Sequence, residues 1–135
     1  MRGTLRVRPL NVADDAAIER AIAAFARSPN GGLIVTGAAP LGARRDLIVK
    51  LAGQHKLPAV YFDRAFVAAG GLISYGLRYI DQYRLAAGYV DRILKGERSA
   101  DLPVQAPTKY ETVVNLKGRH GTWSDGAAID FAERR

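Results

Sequence analysis

Ala68-Ala69-Gly70-Gly71-Leu72-Ile73-Ser74-Tyr75-Gly76 is the stretch on which the rest of the chain turns. Its glycine pair gives the backbone access to positive φ at little cost, and the missing side chains let another group approach the main chain. Ser74 and Tyr75 then add hydroxyls that donate or accept hydrogen bonds, and Tyr75 adds an aromatic face. Two readings fit. One is an ordinary turn whose tyrosine packs into the core, the commoner outcome for paired glycines. The other is a crossover between two lobes that also lines a ligand cleft.

Upstream, Leu5 and Val7 alternate with Arg6 and Arg8, a short edge-like strand stopped by Pro9. Asn11 followed by Asp14 gives a helix-capping signal. Ile18, Ala21, Ile22 and Phe25 recur at three- and four-residue spacing and form one apolar helix face. Ser28 to Gly32 turns the chain. Leu33-Ile34-Val35-Thr36 is short, apolar and β-branched, as in a buried parallel strand. Gly37 to Gly42 reads as a loop, and Ala43 to His55 as a helix with Leu47, Ile48, Leu51 and Ala52 inward. Ala59-Val60-Tyr61-Phe62 reads as the next strand. The first half is thus β-α-β-α-β, a unit that builds parallel sheets with right-handed crossovers. Ligands of such sheets sit at the carboxyl ends of the strands. Those ends fall near Thr36-Gly37 and Phe62-Asp63-Arg64.

Downstream, Ile80, Tyr83, Ala87, Val90 and Leu94 form one stripe of a helix from about Leu77 to Lys95, ended by Gly96. Asp81, Arg84, Asp91 and Arg92 are expected to face water. Ser99 to Thr108 reads as an extended linker and Tyr110 to Asn115 as a final strand. In the last stretch only Trp123, Ile129 and Phe131 offer anchors. The expected division is an α/β unit over 1–72, a glycine crossover and amphipathic helix over 73–97, a return segment over 98–117, and an atypical disordered tail over 118–135.

The 135 residues suffice for one domain, and 48% hydrophobic content supports a packed core. There is no cysteine, which excludes a disulfide framework, thiolate metal sites and a cysteine nucleophile. The net charge of +7 raises the prior on anionic partners. However, the basic residues are scattered and no run interleaves them with aromatics, so no nucleic-acid partner is expected. No apolar run approaches the length of a transmembrane helix, and the start has charges but no signal-peptide core. Taken alone, that start implies a cytoplasmic location.

Chemistry is sparse. Gly37 to Arg45, G-A-A-P-L-G-A-R-R, has the outline of a phosphate loop without its terminal Lys-Ser/Thr pair. It keeps loop amides and Arg44 or Arg45 at a helix start, where an anion could bind. This leaves a small phosphate-binding or enzyme domain as the alternative reading. His55 and His120 have no metal-ligand spacing. Ser74 lacks the glycine pattern of a nucleophile elbow. Asp63 stands at a strand end without a partner base. We therefore expect no catalytic residue, no metal and no cofactor.

The order of motifs adds a resemblance. R-R-D-L-I-V-K-L-A from Arg44, L-P-A-V-Y from Leu57, A-G-G-L-I-S-Y-G from Ala69, A-A-G-Y-V-D-R-I-L-K-G from Ala86, and D-L-P-V-Q-A-P-T-K-Y-E from Asp101 through V-V-N-L-K stand in sequence. Together they resemble the C-terminal part of ABC-transporter substrate-binding proteins of the tryptophan/tyrosine-uptake-like family, over about Leu5 to Lys117.

That resemblance implies a partial, type I periplasmic-binding-protein-like α/β fold. It implies a Rossmann-like parallel-sheet lobe of three to four strands plus a long crossover helix. It also implies a non-catalytic role: binding an amino-acid-like small molecule and passing it to an ABC permease, in the periplasm or on an extracytoplasmic lipid anchor. Residues to about Phe62 would be part of the second lobe, with G-G-L-I-S-Y-G crossing toward the first. The candidate ligand contacts, chosen by position at strand ends and in the crossover, are Thr36, Asp63, Gly71, Ser74 and Tyr75. The sequence departs from the family in two places. First-lobe sequence and an export signal are missing, so a fragment without full binding activity is expected, self-associating through exposed apolar helix faces. After Lys117 the family's Ala/Leu-rich helix is replaced by G-R-H-G-T-W-S-D-G-A-A-I-D-F-A-E-R-R, which a frameshift in a gene remnant would produce.

Overall fold

The computed structural model of the protein describes residues 5–10 and 12–116. Their elements, in order, are α1 (Asp15–Phe25), β1 (Leu33–Val35), α2 (Ala39–Ala43), α3 (Arg45–Gln54), β2 (Ala59–Tyr61), α4 (Arg64–Ala68), β3 (Ile73–Leu77), α5 (Tyr79–Leu94), a 3-10 turn at Ser99–Asp101, and β4 (Tyr110–Val114). The four strands form one sheet in sequence order. β1, β2 and β3 are parallel, and β4 returns antiparallel to β3 along its whole length. The expected tail over 118–135 and the frame change after Lys117 lie outside the described residues.

Register decides which side chains share a face. Val35, Tyr61, Ser74 and Val113 form one row across the sheet, and Ile34, Val60, Ile73 and Val114 form the row on the opposite face. The first face carries the core. Leu33, Ala59, Tyr61 and Phe66 pack there with Ile18 and Ile22 of α1 and Ile48, Leu51 and Ala52 of α3. Each such large apolar side chain contributes roughly 1.5–3 kcal/mol by leaving water. The Tyr61 and Phe66 rings stack at 4.9 Å, and Phe62 meets Phe66 edge-on at 5.3 Å. Burial pushes the Tyr61 phenol up to about 12. The second face is bare among the described residues: Ile34 is 73% exposed, and Val60 and Val114 are exposed beside it.

Several expectations need correction. No strand forms over Leu5–Arg8, where Leu5 and Val7 are exposed. Alternation favours a strand only where a neighbour offers its backbone, and among the described residues β1 pairs with β2 alone. The Gly37–Gly42 loop instead becomes a short helix, α2, with Pro40 in its first turn, where a missing N–H costs nothing. The Ser74–Tyr75 segment is a strand rather than a turn, paired on both sides. The glycine conformation falls earlier, with Gly70 at φ +108° ending α4.

The two long signals hold. α1 is capped by the Asp14 carboxylate, which accepts from the Ala17 amide at 2.6 Å. α5 spans Tyr79–Leu94 within one or two residues of its predicted ends, and the chain leaves it through Gly96 at φ +99°. Its apolar stripe, however, finds no cover among the described residues: no α5 residue is buried, and Ile80, Tyr83, Val90 and Leu94 are all exposed.

Candidate functional site

The parallel strands bring their carboxyl ends to one edge. One residue beyond the row Val35, Tyr61, Ser74 stand Thr36, Phe62 and Tyr75. Thr36 is exposed there. Tyr75 is 58% exposed, and its ring stacks on that of Tyr110 from β4, centroids 5.6 Å apart and planes within 11°. Both tyrosines stand on the bare face of the sheet, two residues along from Ile73 and four along from Val114. An open aromatic pair beside an apolar row can hold a flat or apolar solute group.

Asp63 follows β2 but faces its own helix. Its carboxylate accepts from the Ala65 amide at 2.6 Å and caps α4. Next to it Arg64 reaches Glu111 of β4 at 3.7 Å, which ties the helix to the return strand.

Ser74 and Gly71 are not brought to this edge. Ser74 is 1% exposed and lies on the core face. Gly71 is buried at the other end of β3, where an added Cβ would meet the Tyr61 ring at 2.6 Å and the Phe66 carbonyl at 2.8 Å. Of the five sequence candidates, Thr36 and Tyr75 share an open surface and Asp63 borders it.

The Gly37–Arg45 stretch offers little to an anion. α2 has only five residues, and the Arg44 guanidinium is held by Asp15 of α1. Among the described residues no group of three or more histidine, cysteine or acidic side chains could hold a metal. No helix among them is long and apolar enough to cross a membrane.

A second concavity went unread in the sequence. It measures about 380 Å³ and lies between the start of α5 and the segment that leads into β4. Arg78, Asp81, Gln82 and Arg84 line one side, and Pro107, Thr108 and Lys109 the other. Asp81, expected to face water, is only 15% exposed. Arg78 approaches it at 3.3 Å, Arg84 at 3.7 Å and Lys109 at 3.9 Å. The signal for this site is the charge pattern R-x-x-D-Q-x-R at the helix start. It acquires meaning only when Lys109 arrives from the segment that leads into β4.

The comparisons with known proteins agree with this layout. No curated protein matches the chain. A solved structure described as a conserved domain protein from Vibrio cholerae superposes with a TM-score of 0.68 at 22% sequence identity. The match covers 78% of this chain and 36% of that one, so the chain spans about a third of its structural neighbour. The fold is accordingly a partial periplasmic-binding-protein-like α/β fold, a mostly parallel four-stranded sheet with its helices. The family model described as ABC transporter substrate binding protein matches residues 2–120, and on that match the chain belongs to the ABC transporter substrate-binding protein family.

Proposed function

We propose that this chain is the C-terminal part of a solute-binding component of an ABC-type uptake system, with an amino-acid-like ligand of the tryptophan or tyrosine kind. The permease of that system is the partner that receives the solute. The protein works outside the cytoplasm, in the periplasm or on a lipid anchor. The observation that carries this reading is the family match over residues 2–120. The open Tyr75–Tyr110 pair at the carboxyl edge supports it, because stacked phenol rings suit an aromatic or apolar solute.

Thr36 and Tyr75 are the contacts this reading favours, with Asp63 at their border. Ser74 and Gly71 act on the ligand through the position of β3, since both are buried. The chain transforms nothing and needs no cofactor. It supplies one wall of a cleft, consistent with its spanning 36% of the structural neighbour. Affinity in a cleft depends on enclosing most of the solute, so we expect weak binding by the isolated chain, with Kd on the order of 1 mM. The uncovered α5 stripe and sheet face promote self-association at higher concentration. The alternative, phosphate binding through Gly37–Arg45, has no supporting geometry, since Arg44 is engaged by Asp15.

Calorimetric titration of the purified chain with each proteinogenic L-amino acid tests the reading. Saturable binding that weakens about tenfold or more in Tyr75→Ala is expected. Saturable binding of inorganic phosphate, with none for any amino acid, would overturn it in favour of the alternative.

A further inference from the structure

β4 is the last strand of the sheet, and no strand lies beyond it among the described residues. The hydrogen bonds at its two ends fix which of its backbone groups face that open side. The Asn115 amide donates to the Leu72 carbonyl at 2.8 Å, and the Arg78 amide donates to the Lys109 carbonyl at 3.1 Å. Bonded and non-bonded pairs alternate along an antiparallel ladder. With Ile73 opposite Val114 and Leu77 opposite Tyr110, Glu111 and Val113 therefore bond inward to β3. Tyr110, Thr112 and Val114 turn their amides and carbonyls outward. No backbone hydrogen bond outside the sheet reaches these three among the described residues. All three are exposed, Tyr110 at 52% and Val114 at 41%.

An open strand edge is a template for another strand, and sheets commonly block it with a proline, a bulge or an edge charge. β4 carries none of these. The nearest proline is Pro107, and pairing with β3 runs unbroken from Tyr110 to Val114. Its one charged residue, Glu111, lies on the core face, where Arg64 reaches it at 3.7 Å. The sequence also decides what fits the edge. Laid antiparallel on a second copy, with Thr112 opposite Thr112, β4 sets Tyr110 against Val114 and Val114 against Tyr110. Each of these pairs exchanges both of its N–H···O bonds. Aromatic–β-branched and Thr–Thr pairs are favourable cross-strand neighbours. Glu111 falls opposite Val113 and Lys109 opposite Asn115, so no like charges meet. Sliding one copy by two residues loses a bonded pair within β4 in either direction, and in one direction it sets Glu111 against Glu111.

We propose that the outer edge of β4 pairs with the same edge of a second copy of this chain, joining the two sheets into one about a two-fold axis at Thr112. The interface uses the same patch on both copies, so it closes at the dimer. Main-chain bonds supply the affinity, and the side-chain pairs set the register. Pairing also carries the open apolar row of Ile34, Val60, Ile73 and Val114 across the axis, because Tyr110 of the second copy stands next to Val114. The contact is one short strand on another, so the dimer exchanges with the monomer. It stands apart from the solute-binding reading. It also differs from association through the apolar faces, because its bonds lie in the plane of the sheet.

The test combines sedimentation equilibrium and amide hydrogen exchange of the 135-residue chain over a range of concentrations. As dimer forms, exchange at Tyr110, Thr112 and Val114 should slow by about tenfold or more, whereas Glu111 and Val113 are protected at every concentration. Thr112→Lys and Thr112→Glu each place like charges on the axis, and each should weaken the dimer about tenfold at low salt. Mixed in equal amounts, the two variants should form a heterodimer within about threefold of the parent affinity. Thr112→Pro removes an outward N–H and no bond to β3, so it should keep the folded spectrum and stay monomeric. Parent-like dimerisation of all three variants would overturn the proposal. So would a dimer in which Tyr110, Thr112 and Val114 still exchange freely, which would assign association to the apolar faces. Protection of those three amides in the monomer would overturn it in favour of an edge covered by the same chain. A parent chain that stays monomeric throughout would overturn it outright.

Discussion

Gly76 lies directly against the carbonyl oxygen of Phe62, so close that a Cβ on Gly76 would overlap that oxygen and crowd the Phe62 carbonyl carbon at 2.8 Å. The contact joins β3 to the segment that leaves β2, at the carboxyl edge where Thr36 and Tyr75 stand. Neither partner can yield cheaply, because both are backbone. Gly76→Ala must therefore push β3 away or twist it. We expect a stability loss of about 3 kcal/mol, the upper end for overpacked sites, read by urea denaturation. A loss under about 0.5 kcal/mol would show that the strands separate freely.

The stacked pair Tyr75–Tyr110 is half exposed and joins β3 to β4. Aromatic cross-strand pairs couple by about 0.5–1 kcal/mol. A double-mutant cycle with Tyr75→Ala and Tyr110→Ala should return a coupling in that range. Both single variants should remain folded, because neither ring is part of the buried core. This separates Tyr75 from its neighbour Ser74, where a change acts on the core face and alters stability before it alters any ligand.

Tyr61 gives a pH signature. Its phenol is neutral in the core and titrates at about 12, against an ordinary value of 10.0. A raised folded-state value means that the folded chain holds the proton longer than the unfolded chain. Its stability contribution is complete below pH 10 and is lost as pH climbs toward 12. The difference amounts to about 2–3 kcal/mol. Denaturation at pH 8 and near pH 12 should show Tyr61→Phe losing less stability across that interval than the parent chain. Equal losses would place the Tyr61 hydroxyl in water.

Much of this was open to a reader of the sequence. The helical periods of α1 and α5 and the apolar runs of β1, β2 and β4 are local patterns, and each lies within a residue or two of where the pattern puts it. What failed depended on distant neighbours. Ile73-Ser74-Tyr75-Gly76-Leu77 carries two turn-prone residues and is a strand only because β2 and β4 pair with both of its edges. Leu5–Arg8 has the better strand pattern and no partner. α4 is five residues long, too short for its period to be seen, although its cap Asp63 was singled out for another reason. Thr36 and Tyr75 could be found because strand ends in parallel sheets are favoured places for ligands. The Asp81–Gln82 cleft could not, because its far wall comes from residues 107–109, distant in sequence from α5.

The bare sheet face gives a further expectation. Ile34, Val60, Ile73 and Val114 make a continuous apolar row across all four strands, and the α5 stripe is exposed as well. Surfaces of this kind associate when left open. Light scattering should show oligomers of the parent chain that grow with concentration. Ile34→Lys together with Leu94→Lys should shift the population toward monomer. Both positions are exposed, so the pair should cost less than about 1 kcal/mol of stability. A parent chain that stays monomeric at all concentrations would show that these faces do not attract one another.

The central claim is that this chain holds a small solute and leaves it chemically unchanged. Equilibrium dialysis of the purified chain against a mixture of the proteinogenic L-amino acids, with mass spectrometry of both compartments, tests it most directly. The account expects one or a few amino acids to be enriched on the protein side, with every solute recovered intact and Tyr75→Ala abolishing the enrichment. Equal concentrations on both sides for every amino acid, or a new product formed in the protein's presence, would contradict it.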